Sequence, residues 1–433
     1  MRIGSLDGSR RSPRVGALTV GFLVTLVLAL MGLAQEQPTV PHAGAPSAAP
    51  LPAGQVPHEG NGVVPPAPGP GEVPPPEPKA AEPGPFAVEQ GGQGLQGGWA
   101  VDERGNIAFL HSLSSQYPLM RQAGAGWVRI NFRLGACFPD WTSVGCNGKT
   151  ALQVYDEVVT GAVRADLQVL GLLSNESWHG AQPWTANNAE RTGGSGDNAY
   201  LRDFAQHAAG VLAAHFRGRI REWEVWNEPN CCGSFMYPSN FAWLLTHSYA
   251  AIKAADPAAL VISGGLISAY PEEPLFSPCA SALPSGATYL CATYDMGMTN
   301  AGWVPGAFPL DHVGQHLYLD ASGATSGAEV RAYVEDMRNA YLSYEGADTG
   351  KQTYITELGW TTARVTPAVQ AANLQTAYTT LRQMSFVART FWFSIQDIPE
   401  ADLAFGLVDA AGAPKPGFLA YQTYATAART LAP

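Results

Sequence analysis

The chain has 433 residues, 46% of them hydrophobic and 14% charged, with a formal charge of −11; that is enough apolar material for one barrel-sized domain with insertions, or for two small ones. Four Arg against one Asp in the first 34 residues leave −14 for the remainder. So acidic a remainder excludes a nucleic-acid binder, whose phosphate contacts need clustered Lys and Arg, and suits neutral or basic substrates.

The N-terminus carries Arg2, Arg10, Arg11 and Arg14, and an uncharged apolar run follows from Val15 to Ala34. This is the pattern of a secretory signal, with Gly32-Leu33-Ala34 as a small-residue cleavage site. At about twenty residues the run also has the length of an uncleaved membrane anchor. No Cys follows it, which argues against a lipoprotein. Residues 35–85 hold 16 of the 34 prolines, among Gly, Ala and Glu. Residues 35–88 therefore read as a disordered, polyproline-like spacer, roughly 160 Å long if fully extended at about 3.1 Å per residue. An export signal and a spacer together predict a secreted protein, or one anchored in the membrane and facing outward.

The folded domain is expected over 89–433, beginning between Glu89 and Gly98, with a first strand at Trp99-Ala100-Val101. A helix is expected from Leu113 to Ala123. Trp127 to Phe132 alternates apolar and polar residues and predicts strand two, carrying Arg129. Leu152 to Asp166 has helical spacing, and Leu167 to Leu173 suits a parallel strand covered on both faces. The loop beyond it bears Asn175 and two aromatics, Trp178 and Trp184, suited equally to stacking on an apolar ligand face or to packing the loop. A helix over Tyr200 to Phe216 leads into strand four, Ile220 to Trp226. Helix Phe241 to Ala255 and strand Leu260 to Ser263 follow. Leu266 to Leu310 is too long for an ordinary connection and reads as a loop excursion over the active face, with short helical pieces near Ala287 to Met298. Asp311 to Tyr318 predicts strand six, placing His316 and Tyr318 on one face. Strand seven at Tyr354 to Trp360, a helix at Pro367 to Met384 and strand eight at Thr390 to Ile395 complete a β/α alternation. The fold class is an α/β (β/α)8 barrel.

Six cysteines in an exported chain are expected to be oxidised. Cys137 with Cys146, and Cys279 with Cys291, would each close a short loop. Cys231-Cys232 then remains as a vicinal pair, and cross-pairing of these two with Cys137 and Cys146 is the rival arrangement. The spacing fits no zinc template, so no metal is expected.

Two carboxylates stand out at strand ends. Glu224-Val225-Trp226-Asn227-Glu228-Pro229-Asn230 ends a strand where Pro229 forbids further ladder donation. Tyr354-Ile355-Thr356-Glu357-Leu358-Gly359-Trp360 is a second β-rich run, stopped by Gly. In parallel barrels such C-terminal strand ends collect catalytic residues.

Together the two motifs resemble those of the retaining glycoside hydrolases of clan A, particularly families five and thirty-nine. The likeness covers about residues 95–430. It implies that Glu228 is the acid/base and Glu357 the nucleophile, with carboxyl groups near 5 Å apart. It further implies that Arg129 supports Glu357, that Asn227 bonds the sugar's 2-hydroxyl, and that His316 and Tyr318 contact the sugar or the nucleophile. Trp360 and Trp392 are the candidate substrate-binding aromatics. Here the chain departs from the family pattern, because many relatives place a platform Trp immediately before the Ser where this one has Phe393. A monomeric hydrolase of O-glycosidic bonds acting on oligo- or polysaccharide, without a cofactor, is the expected function. A transglycosylase would use the same residues with an acceptor sugar in place of water. A non-catalytic carbohydrate-binding barrel would ordinarily have lost one carboxylate, and a metallohydrolase would need clustered His ligands at strand ends.

Overall fold

The computed structural model describes residues 86–89, 108–135, 137–145, 148–268, 286–319, 323–397 and 403–430. Eight parallel strands close into a barrel in chain order: β1 Phe86–Glu89, β2 Trp127–Asn131, β3 Gln168–Leu173, β4 Glu222–Asn227, β5 Leu260–Ile267, β6 Val313–His316, β7 Thr353–Leu358 and β8 Val387–Trp392. Helices run between successive strands, because parallel neighbours require a crossover. Apolar side chains on the outer strand faces meet those helices in one large buried cluster. The lower barrel interior is filled by Trp127, Leu170, Ile262, Tyr354 and Phe391.

Local chemistry explains why the helices start where they do. Thr150 caps helix Ala151–Arg164 in a reciprocal capping box with Gln153, and Thr366 caps Pro367–Leu381, which has Pro at its first position. Ser326 accepts from the amide of Glu329 at the head of Gly327–Glu345.

Two expectations are corrected. The first strand is Phe86–Glu89, so the barrel takes in the last three residues assigned to the spacer. A four-residue strand directly after Pro85 is too short for its alternation to stand out from the proline-rich composition around it. The segment 99–101 lies outside the described residues, as do the apolar run 15–34 and the rest of the spacer. The second correction concerns the long excursion after β5. Residues 269–285 lie outside the description, but Gly286–Asn300 is one continuous helix, packed between the helices Pro238–Ala255 and Gly327–Glu345. Tyr289, Leu290, Cys291, Ala292, Thr293 and Tyr294 are consecutive and all buried, so the helix lacks the polar face by which period 3.6 is recognised. Among the described residues no helix is long and apolar enough to cross a membrane.

Candidate active site

The site is built on one buried guanidinium. Arg129 on β2 is 2% exposed. Its Nε donates to Glu224 Oε2 at 2.6 Å, its Nη1 to Glu357 Oε1 at 2.6 Å, and its Nη2 to Asn227 Oδ1 at 2.9 Å. Arg129 thus ties β2 to β4 and β7 across the barrel. A buried cation is tolerable only with such pairing, and the planar fork of Arg can satisfy several acceptors at once.

Strict alternation along β4 would put Asn227 on the face opposite Glu224, yet Arg129 bonds both. The backbone resolves this with left-handed φ values of 78° at Trp226 and 49° at Glu228. Non-glycine residues rarely adopt that region, and such strain gathers at functional sites. Trp226 turns out against Trp184, Tyr200 and Phe204, and Asn227 and Glu228 turn in. On β7 the register shifts between Ile355 and Leu358. There Thr356 Oγ1 donates to Glu224 Oε1 at 2.8 Å while the adjacent Glu357 faces the same cluster.

Glu357 receives a second donor, the Tyr318 hydroxyl, at 2.7 Å from its Oε2. Glu228 meets His316 instead, with Nδ1 2.8 Å from its Oε1. Burial pushes the His316 imidazole down to about 4, so the ring is neutral at ordinary pH and carries one N–H. Its Nε2 lies 3.4 Å from Arg129 Nη2, which can only donate. The ring proton therefore sits on Nδ1 and is donated to Glu228 Oε1. Burial raises the Glu228 carboxyl from 4.5 to about 7, against the pull of Arg129 and with the help of Glu224. Its proton belongs on Oε2, because Oε1 is already accepting from His316.

One oxygen of Glu228, one of Glu357 and a ring nitrogen of His316 lie within 4.8 Å of one another. Such a trio has the donor set of a metal site, but the cation facing it is Arg129 and the imidazole donates a proton toward it. Both features favour carboxyls that handle protons over carboxylates that ligate a metal.

The structure thus brings together Glu228, Glu357, Arg129, Asn227, His316 and Tyr318. Trp360 and Trp392 are placed elsewhere. They are 1% and 0% exposed, with rings 6.0 Å apart in the layer under the helices. Arg389 lies over Trp127 and bonds Glu222 inside the barrel; by the period of two Phe391 and Phe393 share that face, and Trp392 must point outward. Phe393 and Phe405 instead flank Tyr318, at 6.4 and 6.0 Å between ring centres. Trp178 stacks on His207 and Trp184 donates to the Phe235 carbonyl, so both pack the loop. The sequence reading missed Glu224, although a Glu two positions from Glu222 on a strand of buried residues is itself a signal that a cation must lie opposite. No described cysteine is free; Cys146, Cys279 and the side chain of Cys232 are outside the description, and the expected pairings lie there with them.

No family model matches the chain. Its structure is similar to that of a family 39 glycoside hydrolase from the gut symbiont Bacteroides cellulosilyticus WH2, with TM-score 0.52 and 19% identity over 72% of this chain and 60% of that one. It is also similar to GH5_18 from Streptomyces cattleya in complex with GlcNAc, with TM-score 0.57, 15% identity and 82% of both chains covered. A third similar structure is the endo-1,4-β-mannanase from Rhizomucor miehei, with TM-score 0.52 and 17% identity over 81% of this chain and 96% of that one. The chain spans less than two thirds of the family 39 structure. At these identities the likeness is one of fold, and the fold is that of clan A glycoside hydrolase structures of families 5 and 39.

Proposed function

We propose that the chain is a secreted retaining glycoside hydrolase in which Glu357 is the nucleophile and Glu228 the acid/base. The observation that carries this reading is a pair of carboxyl oxygens within 4.8 Å in opposite surroundings, one met by Arg129 and Tyr318, the other buried against a neutral imidazole. Retaining enzymes hold their carboxyl groups about 5 to 5.5 Å apart, and inverting ones about 6.5 to 9.5 Å, to admit a water. Glu357 attacks the anomeric carbon. Glu228 passes its proton to the departing oxygen, then takes one from the water that releases the sugar. Asn227, held by Arg129, is placed to bond the 2-hydroxyl.

The substrate panel should begin with aryl β-mannosides and disaccharides related to Manβ1-4GlcNAc, because GH5_18 variants from Streptomyces cattleya and Bifidobacterium longum were solved in complex with that sugar. Glu357→Ala is expected to be inactive on every substrate. Glu228→Ala should still react with aryl glycosides bearing good leaving groups, and azide should rescue its turnover to give a product of retained configuration. Rescue of Glu357→Ala with retention would reverse the assignment, and full activity in both variants would remove it.

Export and local disulfides from Cys137 to Cys146 and from Cys279 to Cys291 belong to the same proposal. The lack of a free thiol among the described cysteines supports it. Peptide mapping without reduction decides the pairing, and a peptide joining Cys137 to Cys231 or Cys232 would contradict it.

A further inference from the structure

One polar side chain beside the site has an unmet acceptor. Asn131 ends β2, two residues beyond Arg129, so it shares Arg129's inward face about 7 Å nearer the strand's C-terminal end, where Glu228 and Glu357 lie. Its Nδ2 donates to Glu176 Oε2 at 3.3 Å. Only the nitrogen of an amide can donate to a carboxylate, and this fixes the side chain with Oδ1 turned the other way. That Oδ1 is buried and has no hydrogen-bond partner. A buried acceptor left unsatisfied is destabilising, so one kept in place calls for a donor that arrives from elsewhere.

The group behind Asn131 is firmly held. Glu176 lies in the short turn Asn175–Ser177 directly after β3, and Arg133 donates to its Oε1. The backbone of the same segment is clamped too: the Tyr155 hydroxyl bonds the Asn131 carbonyl at 3.2 Å and accepts from the Arg133 amide at 2.8 Å. Glu176 keeps 34% of its side chain exposed, leaving carboxylate lone pairs open toward the barrel mouth. Arg129 and Asn131 share one face of β2, and Arg133, two residues beyond the strand's end, continues the line through Glu176.

We propose that Asn131, seated on Glu176, is a specificity-determining residue that accepts a hydrogen bond from a hydroxyl of the sugar that becomes bonded to Glu357. This deepens the glycosidase reading and rests on it. The assignment to that sugar follows from geometry. The nucleophile must touch the anomeric carbon and is itself bonded to Arg129, so the ring it attacks lies over the β2 side, while the leaving group lies toward the proton of Glu228. Glu176 is a positioning residue. It holds the amide in the one orientation that offers oxygen to the sugar.

The test uses the full chain, the best aryl glycoside from the panel, and the monodeoxy analogues of that glycoside. On the parent glycoside Asn131→Ala should lower kcat/KM about fivefold, the usual worth of one neutral hydrogen bond. Wild type should lose a similar factor on one monodeoxy analogue, and on that analogue alone Asn131→Ala should cost less than about twofold. Glu176→Gln should blunt selectivity for the same hydroxyl, and the double variant should be little worse than Asn131→Ala. Asn131→Ser provides a second shortened side chain if the alanine variant does not fold. An equal loss across all analogues, or no loss on any, overturns the proposal. Glu228→Ala and Glu357→Ala are assayed alongside: if those two abolish hydrolysis of unactivated substrate while Asn131→Ala matches wild type throughout, this inference alone fails, and if they are fully active both readings fail together.

Discussion

At the scale of single residues, the site separates two chemically identical carboxyls by what surrounds them. Burial raises Glu228 from 4.5 to about 7, so the folded protein keeps a proton that the unfolded chain gives up above 4.5. The stabilisation from this proton is complete below 4.5 and is lost as pH rises through about 7. Glu228→Gln cannot ionise and should keep it. The variant is therefore expected to exceed wild type in unfolding free energy by up to about 3 kcal/mol at pH 8, the worth of a shift of that size, and to match it near pH 4. Urea titrations at the two pH values check this. In the proposed mechanism a proton on Glu228 is also what the first chemical step consumes, so wild-type kcat/KM should fall on the alkaline side with a limb near pH 7. The positions of Glu228 and Glu357 were legible in the sequence because both sit where a strand pattern stops. The partition of donors was not, since nothing in a linear pattern says that Arg129 reaches Glu224, Asn227 and Glu357 together.

At the scale of elements, the strands are regular except where the chemistry needs them otherwise, and period-two reasoning fails at those places. Asn227 would face outward but for the left-handed turn at Trp226, whereas at Trp392 the period of two holds and sets the ring outward, with Phe391 and Phe393 in the inner positions. Close packing between strands then fixes the imidazole. Gly265 on β5 lies against the His316 ring, and a methyl group there would meet Nε2 and Cδ2 inside hard contact. The ring cannot yield without leaving Glu228 or Arg129. Gly265→Ala should therefore lower kcat more than tenfold and shift the alkaline limb of the pH profile, because the neutral donor to Glu228 is displaced. Gly171→Ala is the control. Its new Cβ would come within 2.5 Å of the Trp223 ring, in the layer under the helices, and overpacking there should cost about 1 to 3 kcal/mol of stability without moving the limb. A limb that stays fixed in Gly265→Ala would mean that His316 does not tune the acid.

At the scale of the whole molecule, barrel closure is the property that composition concealed. Alternating β and α patterns gave the architecture of seven strands from the sequence, and helices such as Gly327–Glu345 follow from parallel connection even where they were not singled out. The eighth strand sits at the edge of the proline-rich segment. Phe86–Glu89 pairs with β8 through Phe86, Ala87 and Val88, and with β2 through Val88 and Glu89. Without it β2 and β8 would each present an unpaired edge, and the interior would open beside Arg129, whose ion pairs with Glu224 and Glu357 are strong only where water is excluded. A chain begun at Pro83 should therefore unfold at the same urea concentration as the full-length protein and keep its kcat/KM. A chain begun at Gly98 retains every candidate catalytic residue yet lacks β1, and it should lose both cooperative unfolding and activity. If the shorter chain instead hydrolyses aryl glycosides normally and unfolds with an unchanged midpoint, β1 does not close the barrel and the domain begins where the residue pattern first placed it, beyond Glu89.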